Sequence, residues 1–167
     1  SGVGKDSVVS ALLERNPALQ RVITATDRPP RPGEADGVDY HFVSTTEFER
    51  MIAENRMIEW ARVYGQYKGV PKSELERAMA TDQDVILRVD VQGAAMVKQL
   101  MPQAVLIFVS APSEQEMVRR LRERGGDTED QVEARIATAQ EEMSHLAEFD
   151  YLVVNCRGQL DQAVAKA

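Results

Sequence analysis

The sequence predicts an α/β domain in which helices cover the faces of a parallel sheet. Two observations support this prediction. The 167-residue length suits one domain with a sizeable core. In addition, short apolar runs rich in β-branched residues alternate with helical segments and are typical of buried central strands. The predicted strands are residues 85–87, 105–109 and 152–154, and the predicted helices are residues 5–15, 92–100, 113–124 and 128–147.

Helix starts are marked by local capping signals. Ser113 with Glu116 and Thr128 with Gln131 have the spacing of a capping box. A third pair, Ser44 with Glu47, predicts a helix to about residue 54. Pro17 lies just past the end of the first predicted helix, where it cannot continue that helix.

One region breaks the alternation. Between Thr24 and Gly69 the chain is rich in proline and turn glycines, with strand-like pieces only at residues 40–43 and 57–63. This composition predicts a small subdomain inserted between the first helix and the strand at residue 85.

Composition excludes several classes of protein. There are 20 basic against 27 acidic side chains, a net charge of −7, which argues against a protein that coats nucleic acid. The single cysteine, Cys156, excludes an internal disulfide and suits a reducing compartment. No apolar run has membrane-spanning length and no signal peptide is visible, so we expect a cytoplasmic protein with no membrane partner.

The chain opens on the end of a phosphate-binding loop, Ser1-Gly2-Val3-Gly4-Lys5. Glycines let successive N–H groups curl around a phosphate, the lysine reaches the outer phosphates, and a helix N-terminus follows. Asp6 stands where a Ser or Thr hydroxyl normally binds Mg²⁺. The pattern also leads us to expect the leading glycine and the first strand before Ser1.

Arginines cluster at two places: four fall within residues 119–124, and Arg28 and Arg31 flank a proline-rich site. A planar guanidinium can hold phosphate through two hydrogen bonds. A solvated helix face is the alternative interpretation of the 119–124 cluster.

Ordered sequence blocks then give a resemblance to the guanylate kinase family over nearly all of the chain. The most specific are R-P-P-R-P-G-E at residues 28–34 and G-V-D-Y-H-F at 37–42. The others lie at residues 1–5, 58–61, 90–93, 120–125 and 149–151.

The resemblance implies one domain over residues 1–167 with a three-layer P-loop kinase core. An acceptor-nucleotide subdomain near residues 22–72 and a helical lid near residues 120–135 would be inserted in it. It also implies that ATP, with Mg²⁺ present, donates its γ-phosphoryl group to GMP, giving GDP. The acceptor is an ionised phosphate oxygen, so positioning and charge neutralisation suffice without a general base.

The family's functional residues map onto positions of this chain. The implied GMP ligands are Arg28, Arg31, Tyr40 and Lys68 at the phosphate and Glu59 and Asp90 at guanine. The implied ATP ligands are Ser1, Gly2, Val3, Gly4, Lys5, Asp6, Ser7 and Asn155. Lys5, Arg124 and Arg135 would neutralise the transferring phosphoryl group. For Asn155, a simple turn residue after a strand is an equally supported interpretation.

The chain departs from the family pattern at five of these or neighbouring positions. Lys68 replaces a phosphate-binding Tyr, Val70 a guanine-binding Ser or Thr, Asp27 a Thr, and Arg88 the first Asp of a D-x-D pattern. Asp6 replaces the loop hydroxyl. We hypothesise that Asp6 pairs with Arg88 and organises the Mg²⁺ site, largely through water.

Two other functions remain open at this point. Kinases of ribose 1,5-bisphosphate share the fold and can also have a G-K-D loop, and Lys68 and Val70 keep that alternative open. Non-catalytic guanylate-kinase-like modules bind protein partners, but they usually lose the loop lysine and the lid arginines. The sequence is compatible with a monomer or a dimer.

Overall fold

The computed structural model describes residues 3–63, 65–124 and 128–167, with Val63 and Arg124 described by their backbone alone. The helices in these ranges are α1 (Lys5–Arg15), α2 (Thr45–Ala53), α3 (Lys72–Met79), α4 (Val91–Leu100), α5 (Glu114–Arg124), α6 (Glu129–Ser144) and α7 (Leu160–Lys166). The strands are β1 (Leu19–Arg21), β2 (Ala25–Thr26), β3 (His41–Phe42), β4 (Met57–Val63), β5 (Gln66–Pro71), β6 (Asp84–Ile86), β7 (Ile107–Ser110) and β8 (Tyr151–Val154).

The chain divides into two compact units. The central unit is Pro17–Pro102, and the terminal unit combines Ser1–Asn16 with Gln103–Ala167. The predicted ranges 22–72 for the acceptor subdomain and 120–135 for the lid remain predictions.

In the terminal unit, β7 and β8 pair in parallel, with Ile107 opposite Tyr151. Val8 of α1, Val153 of β8 and Ala163 of α7 form one buried cluster. A second cluster joins α5 to α6 through Met117, Leu121 and Ala139. Burial of the apolar side chains in the first cluster therefore holds α1 against β8 and α7.

The central unit contains a four-stranded sheet of order β3-β2-β5-β4 and a separate parallel pair, β1 with β6. The antiparallel β4–β5 hairpin places Glu59 opposite Val70. Phe48 of α2 is fully buried against Ala25 and Met57 on this sheet. Val22, Val70 and Leu75 form a second core that holds α3.

Most predicted helices are confirmed with small shifts of their ends. Helix α1 has the predicted bounds, and α6 begins with the predicted capping box of Thr128 and Gln131. Helices α3 and α7 and strands β1, β2 and β5 were not predicted, because they are short and lack a clear apolar period.

The prediction of buried central strands at 105–109 and 152–154 is wrong in part. Val105 is 62% exposed and Leu152 47% exposed. In the described residues β7 and β8 pair only with each other, so each has an open edge. Within the described ranges, no helix combines the length and apolarity needed to cross a membrane.

Candidate active site

The phosphate-binding loop of the terminal unit ends at a left-handed glycine. Gly4 has φ 80° and ψ 29° and forms the N-cap of α1, and no side chain in the described residues caps that helix end. A residue with a Cβ is strained in this conformation, so glycine is needed here. The N–H groups of the first turn, together with Lys5, therefore have the positive polarity that suits an anion, and binding of ATP phosphate here stays a prediction.

Asn155, directly after β8, holds this loop in place. Its Nδ2 donates to the Val3 carbonyl at 3.0 Å, and its own N–H donates to the Ser110 carbonyl at 2.8 Å. Arg120 donates to the Asn155 carbonyl at 2.9 Å. The side chain is buried, so the structure gives Asn155 a role in loop positioning that its sequence position did not reveal. Contact of Asn155 with ATP stays a prediction.

Asp6 is exposed in the first turn of α1. Mg²⁺ is usually held by one or two carboxylates together with substrate oxygens and water, so a single exposed carboxylate beside the phosphate loop fits this ion. Asp6 belongs to the terminal unit and Arg88 to the central unit, and their pairing stays a prediction.

Arg28 is the centre of the predicted acceptor-phosphate site. It is 6% exposed, and its Nη1 and Nη2 each donate to Glu34 at 2.8 Å. Nη1 also donates to the Pro29 carbonyl at 2.7 Å. Both terminal nitrogens of the Arg28 guanidinium therefore bind Glu34, and the Nε–H donor is not part of this ion pair.

Glu34 also shapes the loop that carries the second predicted arginine. Its Oε2 accepts from the backbone N–H of Arg31 at 2.7 Å, so one carboxylate joins Arg28 to Arg31. The hydrogen bond from Arg28 lowers the pKa of Glu34 to about 2. Glu34 is thus ionised near neutral pH, and the R-P-P-R-P-G-E block is organised by its own last residue.

Tyr40 lies beside two guanidinium groups. The Cζ atoms of Arg88 and Arg28 are 4.6 and 5.2 Å from its ring centroid, within cation–π range. Sequence reasoning placed Arg88 at the metal site and missed this contact. No sequence pattern could reveal the contact, because Tyr40 and Arg88 are far apart in sequence and meet only in the folded chain.

The departures at Asp27 and Lys68 occupy the sheet next to Arg28. Asp27 accepts from the Tyr67 N–H at 2.7 Å and from the Thr45 hydroxyl at 3.0 Å, so it joins β2 to β5 and α2. Lys68 pairs with Thr26 and Ala61 in the sheet. Phosphate binding by Lys68 stays a prediction.

Glu59 and Asp90, the predicted guanine ligands, are brought together. Glu59 is 6% exposed, and burial raises its pKa to about 7, with the negative charge of Asp90 adding to the rise. Asp90 is the N-cap of α4, and its Oδ1 accepts from the Gly93 N–H at 2.8 Å. Val70, opposite Glu59 in the hairpin, is fully buried in an apolar core.

The lid residues are described only in part. Arg135 lies on α6. The side chain of Arg124 and residues Ser1 and Gly2 fall outside the described residues, so their predicted roles stay predictions. Within α5, Glu116 accepts from Arg120 at 2.8 Å and also pairs with Arg119.

Comparison with known proteins agrees with these features. The sequence profile described as "Guanylate kinase" matches residues 1–167. A guanylate kinase of Hydrogenovibrio crunogenus is 49% identical over 155 residues, which cover 93% of this chain and 76% of that protein. "Guanylate kinase 2, chloroplastic/mitochondrial" of Oryza sativa subsp. japonica is 47% identical over 165 residues, 98% of this chain and 58% of the rice protein.

The fold has a matching solved structure. The crystal structure of guanylate kinase from Anaplasma phagocytophilum superposes with a TM-score of 0.76 at 31% identity, covering 96% of this chain and 76% of that one. An α/β fold with parallel strand pairs, in which a glycine–lysine loop leads into a helix, is typical of P-loop nucleotide-binding proteins. More specifically, the chain belongs to the guanylate kinase family. The resemblance identified from the sequence is thereby confirmed.

Proposed function

We propose that this protein catalyses the ATP-dependent phosphorylation of GMP to GDP. The observation that carries the proposal is the buried carboxylate of Glu59 with Asp90 near it, in the same unit as the Arg28 and Tyr40 cluster. Positively charged side chains for a phosphate and an acidic pair with one buried member together suit a nucleotide that has an anionic end and a base that donates hydrogen bonds.

Guanine is the base that this acidic pair fits. It offers N–H donors at N1 and N2, and one ionised carboxylate can accept from both. Adenine presents an acceptor at N1, which a carboxylate repels. Glu59 therefore selects GMP over AMP, and Asp90, fixed at the start of α4, supplies a second acceptor.

Phosphoryl transfer then depends on charge neutralisation and orientation. The acceptor oxygen of GMP is already ionised, so no residue needs to remove a proton from it. Arg28, held by Glu34, and Tyr40 orient the acceptor phosphate, with Arg31 and Lys68 adding positive charge. Lys5 and the first N–H groups of α1 bind the phosphates of ATP, and Arg124 and Arg135 neutralise the transferring group.

Mg²⁺ bound with ATP supplies charge neutralisation at the donor phosphates. Asp6 would hold it, directly or through water, since this carboxylate follows Lys5 in the chain. Replacing Asp6 with Ser tests this assignment, because the Mg²⁺ concentration for half-maximal activity should change. An unchanged dependence on Mg²⁺ would contradict a role for Asp6 at the metal.

The ribose 1,5-bisphosphate alternative is not favoured, since that acceptor has no base for Glu59 and Asp90 to bind. The non-catalytic module is not favoured either, because Lys5 is present at the start of α1. We propose ATP and GMP as the ligands and a cytoplasmic location without nucleic-acid partners. Monomer and dimer are both compatible with this function.

A coupled assay of ADP release tests the proposal. The protein is supplied with ATP, Mg²⁺ and, in separate reactions, GMP, AMP or ribose 1,5-bisphosphate. We expect ADP release with GMP and at least 100-fold less with AMP. The reason is that the buried Glu59 carboxylate would face N1 of adenine, and two hydrogen-bond acceptors facing each other are strongly disfavoured. Absence of GMP-dependent release, or stronger release with ribose 1,5-bisphosphate, would overturn the proposal.

A further inference from the structure

Helix α4 approaches the buried carboxylate of Glu59 at a glycine. A Cβ built on Gly93 would lie 2.9 Å from Glu59 Oε2 and 3.0 Å from its Cδ, and 2.9 Å from the Cβ of Val89. Ordinary contacts between carbon atoms are about 3.5–4.0 Å. Any larger residue at position 93 therefore has to displace the Glu59 carboxylate or the backbone of α4.

The backbone of the same glycine fixes the other acidic residue. The Gly93 N–H donates to Asp90 Oδ1 at 2.8 Å, which makes Asp90 the N-cap of α4. The charge of Asp90 acts on Glu59, so the two carboxylates lie near each other. Gly93 thus donates a hydrogen bond to one member of the pair, and its lack of a side chain leaves room for the carboxylate of the other.

Helix propensity does not explain a glycine at this position. Gly93 is buried inside α4, where glycine is about 0.5–1 kcal/mol less favourable than alanine. Its φ is not positive, so the backbone conformation does not require glycine. The close approach of Glu59 and Val89 is the physical reason that the structure offers.

We propose that Gly93 is a positioning residue for base selection, since it sets where the Glu59 carboxylate stands relative to Asp90 and thereby how guanine is distinguished from other purines. This inference rests on the proposed function. It predicts that a single methyl group at position 93 weakens recognition of the base and leaves the ATP side of the reaction intact.

The test compares Gly93→Ala with the wild type in steady-state kinetics. GMP is compared with IMP, which keeps the N1 donor and lacks the 2-amino group. We expect KM for GMP to rise about tenfold or more, equivalent to about 1.4 kcal/mol, with KM for ATP within about twofold of wild type. The preference for GMP over IMP in kcat/KM should fall by a similar factor, because the displaced carboxylate no longer meets the 2-amino group.

Two controls separate this role from a structural one. Gln99→Ala changes an exposed residue in the last turn of the same helix and should leave both kinetics and base preference unchanged. Glu59→Asp shortens the carboxylate by one methylene, so in the Gly93→Ala background it relieves the overlap. We expect the double variant to lose less than the sum of the single losses in free energy.

The outcomes are distinct. A wild-type protein that does not turn over GMP overturns the proposed function. A wild-type enzyme with a Gly93→Ala variant that keeps its GMP affinity and its preference over IMP overturns the inference alone. If Gly93→Ala lowers the thermal midpoint and its losses are additive with those of Glu59→Asp, then Gly93 acts only in packing, and the inference is again overturned.

Discussion

The side-chain amide of Asn155 donates to the backbone carbonyl of Val3 at 3.0 Å and so fixes the phosphate-binding loop to the end of β8. The same amide lies against the next loop residue, Gly4, because a Cβ at that position would overlap Asn155 Nδ2. Two residues about 150 positions apart in sequence therefore determine one loop conformation. Loop shape in turn decides where the N–H groups of α1 point.

We predict that Asn155→Ala raises KM for ATP several-fold and leaves KM for GMP nearly unchanged. The variant leaves the Val3 carbonyl without this buried partner, a loss of about 1–3 kcal/mol. Steady-state kinetics with each substrate varied in turn will measure the two constants. Gln162→Ala, an exposed change on α7, is the control, and equal rises in both KM values would argue against a role confined to the loop.

A second prediction concerns the carboxylate that joins Arg28 to Arg31. Glu34→Gln removes the charge that holds the Arg28 fork, so we expect KM for GMP to rise about tenfold or more while KM for ATP is unchanged. Glu47→Gln breaks exposed ion pairs with Arg50 and Arg56 in the same unit and should have little effect. A similar loss in both variants would mean that Glu34 acts only as a surface charge.

The same carboxylate has a defined pH signature. Its folded pKa of about 2 lies below its ordinary value of 4.5, so the unfolded state binds the proton more tightly. Its stabilising contribution is therefore complete above about pH 4.5 and is lost as the pH falls towards 2. Urea denaturation at pH 7 and at low pH should show a stability difference between wild type and Glu34→Gln that shrinks on acidification.

The elements that sequence predicted well are those with local signals. Helix α6 begins with the Thr128 capping box because both hydrogen bonds of the box are set within one turn. The phosphate loop and the 28–34 block could be identified because their function needs particular residues at fixed spacing. In contrast, β5 was missed, since Gln66–Pro71 has no clear alternation and is a strand only because β2 and β4 pair with it.

The parts of the site that sequence did not reveal depend on long-range contacts. Asn155 follows a strand and resembled a simple turn residue, and only the fold brings it to Val3. The motif position of Arg88 predicts a pairing with Asp6 at the metal site, which stays a prediction, whereas the contact of its guanidinium with the Tyr40 ring is evident only in the fold. Burial of Glu59 likewise comes from the packing of α4 against β4, which no local pattern records.

Arg88 gives a further prediction, which decides between its two assignments. If its main role is the stack on Tyr40, Arg88→Ala should raise KM for GMP several-fold, since a cation–π contact is worth about 0.5–2 kcal/mol. Arg62→Ala removes a similar stack on Tyr67, at 5.3 Å, and serves as the matched control. We expect the GMP effect in Arg88→Ala and none in Arg62→Ala. A changed Mg²⁺ dependence without a GMP effect would instead favour the pairing of Arg88 with Asp6.

The buried carboxylate of Glu59 makes GMP recognition depend on pH. Burial and the charge of Asp90 raise the pKa of Glu59 to about 7, well above its ordinary value of 4.5. Only the ionised carboxylate can accept hydrogen bonds from both N1 and N2 of guanine, so kcat/KM for GMP should increase as the pH rises through about 7. Glu59→Gln should bind GMP more weakly and should lack this ionisation. The GMP phosphate titrates in the same way with both enzymes, so the ratio of their kcat/KM values at each pH isolates the contribution of Glu59.

Stability should change with pH in the opposite direction. Between pH 4.5 and 7 the folded state holds the Glu59 proton and the unfolded state does not, so the free energy of unfolding should decrease as the pH rises through this window. Above pH 7 the folded protein keeps a buried negative charge beside Asp90. We therefore expect Glu59→Gln to be more stable than wild type at pH 8 and to lose that advantage near pH 4.5, measured by urea denaturation without nucleotide. A stability difference that is constant over this range would show that Glu59 titrates normally and would remove the basis for the pH-dependent binding.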